Sequence, residues 1–170
     1  GIAPADAEAM LADWGVARPA CRQPRGPGPR AVGRAMWPED APPPERVMIV
    51  GGPGAGKSRL ARRIGAATGL PVVHLDSLYW RPGWREADPP AFAGAARAAA
   101  ADARWITDGN YTETYADRLA RAHLVVFVDA PTPLRLWRIL RRTARWRGRA
   151  RPDLAPGCPE RLDLAFLLYA

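Results

Sequence analysis

Gly51-Gly52-Pro53-Gly54-Ala55-Gly56-Lys57-Ser58 follows directly on the apolar run Val47-Met48-Ile49-Val50, and the octet fits the pattern G-x-x-x-x-G-K-[ST]. A strand, a glycine-rich loop and the start of a helix in this order read as a phosphate-binding P-loop. The glycines let the backbone fold around an anion, so that successive N–H groups and the N-terminus of the next helix point at β- and γ-phosphate oxygens. Lys57 adds a full positive charge, and Ser58 is placed to set its hydroxyl on the Mg²⁺ that bridges those phosphates. Composition speaks against a chance Gly/Pro turn, since Lys57 is the only lysine and every other basic residue is arginine. The single ammonium stands where a compact charge on a flexible stem is useful. Gly51, Gly52, Pro53, Gly54, Ala55, Gly56, Lys57 and Ser58 are therefore the expected binding residues for ATP, with Mg²⁺ as its companion.

A length of 170 residues suits one domain with a real core. The net charge of +8 comes almost wholly from arginine. It fits nucleic acid, acidic small molecules such as nucleotides, or simply the bias of an Ala/Arg/Pro-rich composition. Cys21 and Cys158 stand far apart with no C-x-x-C pair, so neither a disulfide nor a zinc site is expected. No apolar run approaches the roughly 18 residues that span a membrane, and the first residues lack a basic-then-apolar signal pattern. A cytoplasmic protein with no membrane partner is expected.

Residues 1–45 are crowded with proline, from Pro4 to Pro44, with glycine and arginine between. Little apolar surface is left to offset ordering entropy, so this stretch reads as a disordered Pro/Arg-rich leader with at most a marginal helix over Ala5–Trp14. Either a natural start at Met36 leaves it without a role, or it is a basic tether for an acidic partner. Residues 46–170 carry the folded domain. Val47–Val50 reads as a central strand covered on both faces, and Lys57–Thr68 as a helix stopped by Gly69. Pro71–Leu75 reads as a strand ending at Asp76, Ser77–Trp84 as a loop, and Pro90–Ala101 as an alanine-rich helix. Arg104–Thr107 is a strand ending at Asp108-Gly109, Thr112–Arg121 a helix, and His123–Val128 the strongest β run. Thr132 is the expected N-cap of a helix running to Trp146, with Pro133 at its first position. A polar loop over 147–159 and a last helix over Pro159–Tyr169 complete the chain.

Strands alternating with helices imply an α/β fold, a P-loop NTPase three-layer arrangement with a parallel sheet. Ligands in such sheets bind at the carboxyl ends of the strands, where the P-loop, Asp76, Asp108 and Asp129 all fall.

The motifs resemble those of adenylate-kinase-like P-loop kinases, and more closely those of bacterial DNA topology modulation proteins. The likeness runs through Arg46–Val50 with the P-loop, His74-Leu75-Asp76, Leu78–Trp84, Trp105–Tyr111, Leu136-Trp137-Arg138 and Gly157–Arg161. It covers 46–170 and none of the leader. It implies an ATP-binding kinase fold acting on a nucleotide or other small molecule, with an Arg-rich lid at the position of Arg138 and Arg142. Two departures stand out. Asp108-Gly109-Asn110-Tyr111 only partly matches the D-G-F-P-R stretch of adenylate kinases, which argues against AMP as acceptor. Ala170 also falls before the fifth strand that such kinases carry, which implies a C-terminally truncated piece lacking its last strand.

Five residues are the catalytic candidates: Lys57, Asp76, Asp108, Arg138 and Arg142. Asp108 is placed to join Ser58 as a Mg²⁺ ligand, because the metal takes anionic oxygens. Asp76 is placed to orient an acceptor hydroxyl or help hold the metal. Arg138 and Arg142, four apart on one helical face, are placed to meet the transferring phosphoryl group. Asp129 reads as a turn carboxylate and His74 as a satisfied core histidine. Tyr79, Trp80 and Trp84 read equally as a stacking pocket and as a loop packed on its own domain. The expected activity is ATP-dependent phosphotransfer to a nucleotide or small-molecule acceptor. The alternative is an ATP-binding, nucleic-acid-associated regulator without kinase activity. A GTPase switch is disfavoured by the lack of an N-K-x-D motif.

Overall fold

The computed structural model describes residues 42–162, 166 and 167, all within Pro42–Ala170, the second of two units into which the chain divides. The leader up to residue 41 with Cys21, residues 163–165, 168 and 169 of the expected last helix, and Ala170 lie outside the described residues. In chain order the elements are β1 (Arg46–Gly51), α1 (Lys57–Thr68), β2 (Val72–His74), α2 (Leu75–Tyr79), β3 (Trp80–Arg81) and β4 (Arg85–Glu86). They continue with α3 (Pro89–Ala101), β5 (Trp105–Asp108), a 3-10 turn (Thr112–Thr114), α4 (Tyr115–Arg121), β6 (Leu124–Val128) and α5 (Thr132–Trp146).

Four strands form one sheet in the order β2-β5-β1-β6, every neighbouring pair parallel. The continuous apolar run of β1 is explained by cover on both faces. Val47 and Ile49 pack with Ala61 of α1, Leu70 and Ile106 on one side. Met48 and Val50 pack with Ala100 and Trp105 on the other, with Tyr115 of α4 against them. Each buried aliphatic side chain of this kind contributes roughly 1.5–3 kcal/mol. Helices therefore lie on both faces of a parallel sheet, the α/β arrangement expected from the alternation of strand and helix. Among the described residues no helix is long and apolar enough to cross a membrane.

Helix α1 has the expected bounds, closed by Gly69 in the left-handed conformation with its N–H on Gly65 O at 2.8 Å. Helix α3 is capped by Asp88, whose carboxylate accepts from Ala91 N at 3.2 Å.

Elsewhere the boundaries differ from the sequence reading. The strand expected over Pro71–Leu75 ends at His74, and the loop expected over Ser77–Trp84 is helix α2 followed by the β3–β4 hairpin. Burial of Leu75 and the bond from Ser77 Oγ to His74 O, 2.6 Å, turn the chain into the helix at once. Asp76 consequently sits in the first turn of a helix and not at a strand end. The helix expected over Thr112–Arg121 begins as a 3-10 turn. The N-cap of α5 is Pro131, with Thr132 already helical and without a capping bond from its side chain. Pro159 and Glu160 do not open a helix but form single bridges to Ala150 and Arg147, folding 147–160 back on itself as a strap.

Candidate active site

The glycine-rich loop leaves β1 at Gly51 and turns tightly against two other elements. A Cβ on Gly51, whose φ is 141°, would stand 2.0 Å from Val128 O, and one on Gly54, φ 72°, would stand 2.6 Å from Arg135 O. Only glycine permits both the conformation and the approach. The first bond of the α1 ladder runs from Leu60 N to Gly56 O at 3.0 Å, so the N–H groups of Lys57, Ser58 and Arg59 precede it at the positive end of the helix. Lys57 Nζ lies across the loop, donating to Gly51 O at 2.8 Å and Gly52 O at 3.1 Å. Burial lowers its pKa, while the charges of Asp76 and Asp108 pull the other way. Ser58 stands half-buried in the first turn of α1.

Both candidate carboxylates flank this loop, each with its own partner. The register sets Asp108 beside Ile49 of β1 and beside His74 of β2. Asp108 is 4% exposed, and its Oδ1 lies 2.5 Å from His74 Nδ1. Burial alone would lower the His74 pKa, but the hydrogen bond and charge of Asp108 outweigh it and the pKa is raised. His74 is thus a satisfied histidine, as expected, and the group that satisfies it is itself a site candidate. Asp76 Oδ1 accepts from Tyr111 OH at 2.7 Å. Burial raises the Asp76 pKa against the opposing effect of that bond, and burial together with Asp76 raises that of Tyr111. Asp129 caps its own turn, accepting from Ala130 N at 2.8 Å.

Three residues to which the sequence reading gave no role at the site tie these parts together. Asn110 pairs both ways with Gly51: its Oδ1 accepts from Gly51 N at 3.1 Å and its Nδ2 donates to Gly51 O at 3.2 Å. The fully buried Arg118 donates to Gly109 O at 3.1 Å, Asn110 O at 2.7 Å, Tyr111 O at 3.0 Å and Thr114 Oγ1 at 3.2 Å. Burial lowers its pKa to about 10. Tyr111 is held at a φ of 22°, a conformation rare outside glycine. Asn110 and Tyr111 lay in a stretch read for its part in the resemblance and for its partial match to D-G-F-P-R, with no role given to either residue, and no sequence signal marked Arg118 as buried.

On the opposite side α5 presents arginines to the loop. Arg135 Nε donates to Pro53 O at 3.0 Å and Arg138 Nη1 to Ala55 O at 2.9 Å. Arg142, one turn further on, bonds Glu160 Oε1 at 3.1 Å. The two arginines expected to act together thus have different partners, Arg138 on the loop and Arg142 on a buried carboxylate. Burial and the neighbouring Arg151 lower the Arg142 pKa. Thr143 Oγ1 also donates to Glu160 Oε1, at 3.1 Å, while Arg151 Nε stands 2.6 Å from Oε2, an ion pair not aligned as a hydrogen bond. The spacing of Arg135 from Arg138 and Arg142 was the available signal for Arg135. The aromatic residues pack on one another: Tyr79 has Trp80, Phe92 and Tyr111 at 5.0, 5.2 and 4.9 Å between ring centres. Trp84 Nε1 donates to Pro159 O at 2.8 Å, joining the hairpin to the strap.

The donor set fits a polyphosphate with a hard divalent cation. An ammonium lies over glycines that bear no side chain, beside the N–H groups of a helix start, and both Asp108 and Ser58 supply oxygens of the kind Mg²⁺ takes in company with phosphate and water. No protein-family model matches the chain, and no curated protein is significantly similar to it.

Proposed function

We propose that the chain is an ATP-dependent phosphotransferase of the P-loop NTPase fold, which binds ATP at Gly51–Ser58 and passes the γ-phosphoryl group to a nucleotide or other small acceptor. The observation that carries this reading is the position of Lys57 Nζ across the Gly51 and Gly52 carbonyls, with Arg135 and Arg138 holding the same loop from α5. The resemblance of the motifs to adenylate-kinase-like kinases supports it.

In this reading Lys57 and the N–H groups at the start of α1 bind the β- and γ-phosphates. Ser58 and Asp108 would hold Mg²⁺, which supplies charge neutralisation as the phosphoryl group moves. Asp76 accepts the proton of the acceptor hydroxyl while that oxygen bonds to the γ-phosphorus, the bond to the β-γ bridging oxygen breaks and ADP leaves. A carboxyl whose pKa burial has raised suits that task better than an ordinary one. Arg138 and Arg142 balance charge on the phosphoryl oxygens and help keep water out.

The test is an acceptor screen: the full chain with labelled ATP, Mg²⁺ and a panel of nucleotides, nucleosides and small metabolites. Acceptor-dependent transfer of label is expected. Failure to bind Mg-ATP overturns the proposal, and binding without transfer to any acceptor favours a regulator that carries ATP as a structural ligand.

A further inference from the structure

Gly51 O is the acceptor for two donors, Lys57 Nζ at 2.8 Å and Asn110 Nδ2 at 3.2 Å, while Gly51 N donates to Asn110 Oδ1 at 3.1 Å. The Asn110 side-chain amide therefore pairs with the backbone of Gly51 as a neighbouring strand would, just beyond the point where β1 stops pairing with β5, while Gly51 still faces Val128 of β6 on its other side. Asn110 is itself fixed. Its carbonyl accepts from Arg118 Nη2 at 2.7 Å, and those of Gly109 and Tyr111 on either side accept from the same buried guanidinium. Three consecutive carbonyls on one rigid planar donor leave this turn little freedom.

We propose that Asn110 is a positioning residue for Lys57: by pairing with both backbone groups of Gly51, it fixes the carbonyl on which the ammonium rests and so presets the phosphate-binding lysine. The functional part of this inference rests on the phosphotransferase reading. The positional part does not. Loss of the amide frees the Gly51 peptide to rotate, and Lys57 then loses its defined place over the loop. Asn110→Asp keeps the shape and the bond from Gly51 N but sets a carboxylate oxygen against Gly51 O, so it breaks the pairing without leaving a hole.

Lys57 is the only lysine in the chain, so protein made with ¹⁵N-lysine gives one side-chain ammonium signal that reports this position alone. In the full-length wild-type chain the signal is expected to be that of a hydrogen-bonded, slowly exchanging ammonium. In Asn110→Ala and Asn110→Asp it moves to that of a free, rapidly exchanging ammonium, and Mg-ATP affinity by calorimetry falls about tenfold. Ala100→Gly, a lesion in α3 at the far end of β5, is expected to lower stability and leave the signal in place. If Asn110→Ala does not fold, Asn110→Asp carries the test. The inference is overturned by a signal unchanged in the Asn110 variants, by a free, rapidly exchanging ammonium signal already in the wild type, or by an equal change in Ala100→Gly. A wild-type chain that does not bind Mg-ATP overturns the phosphotransferase reading instead, and the lysine signal then decides the positional role by itself.

Discussion

His74 Nδ1 and Asp108 Oδ1 lie 2.5 Å apart because the parallel register of β2 on β5 sets these two residues side by side at the carboxyl ends of their strands. One oxygen of the carboxylate is thereby committed to the histidine, and the charge of Asp108 acts on Lys57 of the neighbouring loop. A second residue that orients a ligand in this way commonly matters nearly as much as the ligand.

Replacing His74 with Phe keeps the ring volume and removes the hydrogen bond. ATP affinity in the presence of Mg²⁺ is expected to fall roughly 10- to 100-fold, with little change when the metal is chelated. Calorimetry with and without Mg²⁺ decides it. An equal loss in both conditions would show that His74 supports the fold alone.

Lys57→Ala removes the ammonium from the loop and leaves the core untouched. Charge-assisted bonds to phosphate are worth about 1.5–3 kcal/mol, so Mg-ATP affinity is expected to drop on the order of 10- to 150-fold with a small change in thermal midpoint. Normal affinity in this variant would refute phosphate binding at the loop.

The two carboxylates are expected to fail differently. Asp108→Asn weakens metal-dependent ATP binding, whereas Asp76→Asn leaves it nearly intact and slows transfer about 10²- to 10⁴-fold, seen in single turnovers. Stability separates them as well. The Asp76 pKa is raised above 3.8, chiefly by burial, so the folded chain holds that proton more tightly than the unfolded chain. Its stabilising contribution is fully present below pH 3.8 and is lost as pH rises through the raised folded value. At neutral pH the ionised group is a cost. Asp76→Asn therefore melts higher than wild type near pH 7, and the gap closes on acidification; a constant gap in thermal midpoint across that range would contradict the raised pKa.

Arg118 is the buried cation on which the 109–111 turn hangs. Arg118→Met deprives three carbonyls of their donor, and a loss of about 3–5 kcal/mol in denaturant unfolding is expected. Arg118→Lys recovers little of it, because one ammonium does not span acceptors that a planar fork reaches together. A loss below about 1 kcal/mol would mean that water replaces the guanidinium freely.

Where a signal was local, the sequence reading and the structure coincide. Lys57–Thr68 is bounded by Gly56 and Gly69, both at positive φ, and those two positions mark the helix without reference to the rest of the chain. The unbroken run Val47–Val50 likewise announces a strand with two covered faces. Ser77–Trp84 did not announce its structure. Its aromatic and turn residues read as a loop, yet Leu75 is drawn into the core with Ala87, Phe92 and Ala96, and the hairpin is held from 77 residues away by Cys158 Sγ on Arg81 O. Thr132 has the chemistry of a cap but stands one residue inside the helix that Pro131 begins.

The sequence by itself therefore determined the glycine-rich loop, the helix behind it, the alternation that makes a parallel sheet, and the candidacy of Lys57, Asp76 and Asp108. These depend on backbone conformation and on periods of two and 3.6 residues, which act over a few neighbours. Only the tertiary structure decided which groups meet: Asp108 with His74, Asp76 with Tyr111, Asn110 with Gly51, Arg142 with Glu160. Their partners are 18 to 59 residues apart in the chain, and their meeting is set by strand order and register, which arise from the packing of the whole sheet and not from any one segment.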